Sequence, residues 1–78
     1  MSDYSEKRIS KGSLILCNTD GDIGLVTCVG PNKNTIPIFP NTQLSDAVEV
    51  YWLQDNIFCY YLNKSFFNGV GDFSILKF

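Results

Sequence analysis

The chain contains no histidine. That removes the commonest general base, and with it the usual serine–histidine and cysteine–histidine nucleophile pairs. No serine or cysteine stands beside another plausible base, so the sequence predicts a protein that is not an enzyme. Three cysteines, Cys17, Cys28 and Cys59, form no Cys-x-x-Cys pair, and with no histidine they cannot complete a zinc site. Each lies in an apolar stretch and reads as a buried reduced thiol with no adjacent cation to activate it. Asp20 and Asp22 flank Gly21, but this loop is too short for an EF-hand and lacks the distal glutamate; both are expected to be solvated turn residues. No cofactor or metal is called for. No apolar run approaches the ~20 residues that span a bilayer. The opening, MSDYSEKRIS, lacks the apolar core of a secretory signal, so a cytoplasmic location is expected. Six basic and eight acidic residues leave a net charge of −2. That balance provides no general attraction to phosphate backbones or anionic membranes. No segment sustains a 3.6-residue apolar period, so little or no helix is expected.

What is present is apolar and aromatic. The 78 residues are 45% hydrophobic, with six Phe, four Tyr and one Trp. That is enough for one compact core and too little chain for a second. Residues 1–11 are polar, carry five charges and read as a flexible N-terminal tail. Residues 12–78 read as the folded domain. SLILC (13–17) and IGLVTCV (23–29) are strands joined by the turn NTDGD, with Asp20-Gly21 at its centre. Gly24 marks a bulge or a close backbone approach. Residues 30–46 contain Pro31, Pro37 and Pro40 and form a long irregular loop, of a length that is often functional. Its Ile36, Ile38, Phe39 and Leu44 need packing partners, and a short edge strand fits Thr35–Phe39. PIFP (37–40) reads as a stiffened loop, because no basic residue accompanies its P-x-x-P spacing. NKSFFNGVGD (63–72) is a turn with one 3₁₀ turn carrying Phe66 and Phe67, and FSILKF (73–78) is the last strand.

The clearest strands are AVEVYWL (47–53) and IFCYYL (57–62). Residues 48–62 hold five aromatics in fifteen, on both faces of the pleat. Asp55-Asn56 suits a two-residue turn with positive φ. That loop would pair Leu53 with Phe58, Trp52 with Cys59, Tyr51 with Tyr60 and Val50 with Tyr61. One face then holds Val48, Val50, Trp52, Ile57, Cys59 and Tyr61, lacks charge and is assigned to the core. The other holds Glu49, Tyr51, Leu53, Phe58, Tyr60 and Leu62 and faces outward, with Tyr51 beside Tyr60; either the long loop, the tail or the Phe66-Phe67 turn folds over these rings, or they form a partner or self-association surface.

The order short loop, long loop, tight hairpin, 3₁₀ turn resembles a small SH3-like β-barrel. Lys11-Gly12 and Gly24-Leu25-Val26 resemble the opening of KOW-type barrels. VEVYWLQDNIFCYYL resembles the core hairpin of Tudor-like and tailed-phage barrels. The resemblance implies an all-β, five-stranded, partly open barrel with a long loop between the second and third strands. It further implies a phage-encoded accessory protein, in the host cytoplasm or the virion, that binds a host or virion protein. Tyr51, Tyr60, Phe58, Leu53, Phe39 and Ile38 are the candidate binding residues, since exposed apolar patches mark contacts and tyrosine is favoured there. Two alternatives stand beside this protein-binding role. One is a nucleic-acid or transcription-complex module of KOW type, less favoured because Lys33 and Lys64 are isolated. The other is a structural homo-oligomer. A methyl-lysine cage has no support, because NTDGD carries no aromatic residue.

Overall fold

The structure is a computed structural model that describes residues 8–67 and 71–78. It is all-β, with five strands: β1 (Leu14–Cys17), β2 (Ile23–Val29), β3 (Ala47–Trp52), β4 (Ile57–Leu62) and β5 (Phe73–Lys77). Short 3₁₀ helices precede β3 (Asn41–Asp46) and follow β4 (Asn63–Phe66). All neighbouring strands are antiparallel, in the order β4-β3-β2-β1-β5, so β1 pairs with both β2 and β5. The sheet is not closed: β4 and β5 are its two edges.

The core follows the two-residue period of the strands. Val48, Val50 and Trp52 on β3 are buried, as are Val26 on β2 and Ile15 on β1. Cys59, Tyr61, Phe73 and Ile75 pack against them, and Phe66 from the 3₁₀ helix closes one side. Trp52, Tyr61, Phe66 and Phe73 form an aromatic cluster, with the Trp52 and Phe73 rings stacked at 6.1 Å and Tyr61 edge-on to Trp52 at 6.5 Å. The indole N–H is satisfied by donating to the Tyr61 hydroxyl at 3.2 Å. Burial, the largest cause, pushes the Tyr61 phenol up to about 12.

Gly24 is a close approach. A Cβ there would lie 2.5 Å from Val50 Cγ1 and 2.8 Å from the Trp52 ring. The indole therefore lies over bare backbone. The β2 bulge sits further on, where Val26 pairs with Val50 but Cys28 pairs with Glu49.

Several expectations are corrected. The β3–β4 connection is not a two-residue turn: Trp52 pairs with Ile57, Tyr51 with Phe58, Val50 with Cys59 and Glu49 with Tyr60. The four residues 53–56 form the loop, closed by Asn56 N–H donating to Trp52 C=O at 2.9 Å. Asn56 takes the positive φ (58°), whereas Asp55 does not. Because the true register differs from the expected one by two residues, each side chain keeps its face. Ile57, assigned to the core, is nonetheless 48% exposed at the hairpin end.

The segment taken as a tail contributes a core residue. Ile9 is 2% exposed, and its N–H donates to Asn63 Oδ1 at 2.8 Å. Residues 1–7 lie outside the described residues. The expected strand at Thr35–Phe39 is a set of turns instead. Asn32 Oδ1 accepts from the Asn34 and Thr35 N–H groups, and the buried Thr35 holds the Asn32 backbone, so local bonds replace a ladder. Leu44 is buried, but Ile36 and Ile38 are exposed rather than packed. All three cysteines are free and half-buried, not fully buried. Asp20 is exposed as expected; Asp22 is not, being 4% exposed. The Asn68-Gly69 turn expected from the sequence lies outside the described residues.

Candidate interaction face

The outward face of β3 and β4 alternates with the core face, so burial of Val48, Val50 and Trp52 turns Glu49 and Tyr51 outward. On β4 the same alternation turns Phe58, Tyr60 and Leu62 outward. The tight pair on this face is Tyr51 and Phe58, whose rings lie 5.0 Å apart at 49°. The Tyr51 hydroxyl donates to Asn56 Oδ1 at 2.6 Å, which fixes the ring over the hairpin end. Phe58 is 52% exposed and Leu53 51% exposed, so the hairpin end is apolar and wet.

Tyr60 belongs to a polar neighbourhood instead, opposite Glu49. The Glu49 carboxylate accepts from Thr27 Oγ1 at 2.7 Å and from Asn34 Nδ2 at 3.3 Å. Desolvation first, then the Glu49 charge, raises the Tyr60 phenol above its ordinary value. The face thus has an apolar end (Leu53, Phe58, Tyr51) and a hydrogen-bonded end (Tyr60, Glu49, Thr27, Asn34).

The loop residues stand apart. Ile38 is 53% exposed and Phe39 half-buried, and among the described residues no ring contact joins Phe39 to Tyr51, Phe58 or Tyr60. The loop touches the face through Asn34. The expected neighbours Tyr51 and Tyr60 lie diagonally across the ladder, because the longer turn puts Phe58 opposite Tyr51. Phe66 and Phe67 do not cover this face: Phe66 packs inward on Tyr61 and Phe73, and Phe67 stacks on Phe78 at 6.3 Å.

Asn56, Thr27 and Asn34 were not legible as parts of this face. Asn56 carried a signal as a turn residue able to take positive φ. Thr27 and Asn34 meet Glu49 only because of the β2 bulge and the loop's return, which leave no local pattern. No family model, curated protein or solved structure matches this chain.

Proposed function

We propose that the chain is a non-catalytic protein-interaction module built as a partly open SH3-like barrel. The strand order β4-β3-β2-β1-β5, the long β2–β3 loop and the 3₁₀ helix between β4 and β5 support that architecture. A phage-encoded accessory protein binding a host or virion protein in the host cytoplasm is the setting this reading favours. The observation that carries the interaction role is the exposed apolar end of the β3–β4 hairpin. Leu53 and Phe58 are each about half exposed beside a Tyr51 already held by Asn56. A pre-ordered ring forfeits little side-chain entropy on binding, and tyrosine and phenylalanine are favoured at interface centres.

The test is affinity capture from the native host with the wild-type chain, then with Tyr51→Ser and Phe58→Ser. Loss of one specific partner, with the thermal midpoint little changed, supports the role. Undiminished capture by both variants overturns it.

A further inference from the structure

The alternation that turns side chains outward also decides which backbone groups are spent. Leu53 N–H donates to Ile23 C=O on β2 at 3.0 Å. Hydrogen-bonding direction alternates along a strand, so Trp52, Val50 and Val48 direct theirs toward β4. The Asn56 N–H bond to Trp52 C=O agrees. Their partners Ile57, Cys59 and Tyr61 are therefore bonded to β3. The N–H and C=O groups of Phe58 and Tyr60, and the N–H of Leu62, point away from the sheet along its edge, while the Leu62 C=O caps the 3₁₀ helix Asn63–Phe66.

Edge strands in soluble proteins are usually blunted by charge, proline or a bulge. β5, the other edge, carries Lys77 and a register shift against β1. β4 has none of these: IFCYYL is uncharged, has no proline, and runs in unbroken register along β3.

We infer that the β4 edge pairs with β4 of a second copy of this chain, antiparallel about a two-fold axis at Tyr60. The inference does not rest on the outer-face reading, because it uses backbone groups rather than rings. Side chains directly opposite in a ladder share a face, which restricts the axis to a residue. An axis at Tyr60 sets Tyr60 against Tyr60 and Phe58 against Leu62, so the Tyr60 groups pair with each other and the Leu62 N–H reaches the Phe58 C=O of the other copy, engaging all three residues. Axes at Phe58, Cys59 or Tyr61 leave at least one of them unpaired. The chosen register also matches charges. It brings the turn carrying Asp55 in one copy beside the 3₁₀ helix carrying Lys64 in the other, twice by symmetry. Both residues are exposed and have no ion-pair partner among the described residues. No like charges oppose each other along the ribbon.

The experiment combines sedimentation from about 10 µM to about 1 mM with residue-resolved amide exchange. The expected result is a dimer at the upper end, with Tyr60 and Leu62 amides slowing as it forms. Ile57, Cys59 and Tyr61 amides should be slow throughout. Tyr60→Lys should abolish the dimer while leaving the monomer folded. Asp55→Lys and Lys64→Asp should each weaken dimerisation about tenfold, and the double variant should recover to within about threefold of wild type. Three results overturn the inference. One is a monomer at all concentrations. Another is a dimer whose edge amides still exchange quickly, which means pairing through another face. The third is protection of those amides in the monomer, which means the chain covers its own edge. Failure of the double variant to recover overturns the register.

Discussion

Asp22 Oδ1 accepts the backbone N–H of Gln54 at 2.9 Å, tying the β1–β2 turn to the β3–β4 turn. The same oxygen accepts from Ile23 N–H at 2.8 Å, while the Asp22 N–H donates to Asp20 Oδ1 at 2.9 Å. The other carboxylate oxygen is buried without a partner among the described residues. A buried acceptor serving two backbone donors matters most when it is removed. Asp22→Ala should cost about 1–3 kcal/mol, the usual cost of stranding buried donors. Asp22→Asn keeps an acceptor oxygen for the two backbone donors, so it should cost less. Urea titration of the two variants checks the order; equal losses would contradict it.

Gly24 leaves room for nothing but hydrogen. Gly24→Ala would drive a methyl group into Val50 and the Trp52 ring, both in the core. Overpacking of this kind costs about 1–3 kcal/mol. The lone tryptophan makes the effect visible: its emission should shift toward that of a wetter indole along with the lower unfolding midpoint. An unchanged spectrum and midpoint would show that the indole does not lie over Gly24.

The strands were legible because their causes are local. IGLVTCV lies between Gly21-Asp22 and Gly30-Pro31, and β2 occupies that same run, Ile23–Val29. The face assignment of the β3–β4 hairpin survived an incorrect turn because the error was two residues and the side-chain period is two. What was not legible depends on distant partners. A single isoleucine in a charged segment carries no periodicity, and Ile9 joins a core built by distant strands, with its backbone N–H bonded to the side chain of Asn63 far along the chain. Asp22 looked like any turn aspartate until the second turn arrived beside it. In the long loop, Thr35 is the buried anchor and the isoleucines are outside, the reverse of what hydrophobicity alone suggests.

Ile9→Ala therefore tests whether this segment belongs to the fold. A side chain 2% exposed should cost about 2–5 kcal/mol on truncation to alanine. The neighbouring exposed pair, Arg8 with Asp46, should contribute at most about 1 kcal/mol, being half solvated on both sides. Chemical denaturation of Ile9→Ala and Arg8→Ala separates the two. A loss under 1 kcal/mol for Ile9→Ala would return the segment to a dispensable tail.

The Tyr51–Phe58 contact predicts a coupling that the expected register would have given to Tyr51 and Tyr60. A double-mutant cycle with Tyr51→Ala and Phe58→Ala should yield about 0.5–1.5 kcal/mol, and the Tyr51–Tyr60 cycle clearly less. The reverse order would restore the two-residue turn.

Tyr61 makes the fold sensitive to alkali. Its phenol is pushed from the ordinary 10 up to about 12 in the folded chain, chiefly by burial. The unfolded chain therefore releases this proton first as pH rises. Stability is fully present below about pH 10, declines above it and flattens past about pH 12, because the unfolded state alone gains from ionisation in that window. Tyr60 shifts in the same direction and adds to the decline. Thermal unfolding followed from neutral to strongly alkaline pH should show the fall, with tyrosinate absorbance appearing on unfolding. Tyr61→Phe loses the acceptor for the Trp52 N–H and should be less stable at neutral pH, yet its alkaline decline should be shallower. A decline as steep as wild type in that variant would place the sensitivity elsewhere.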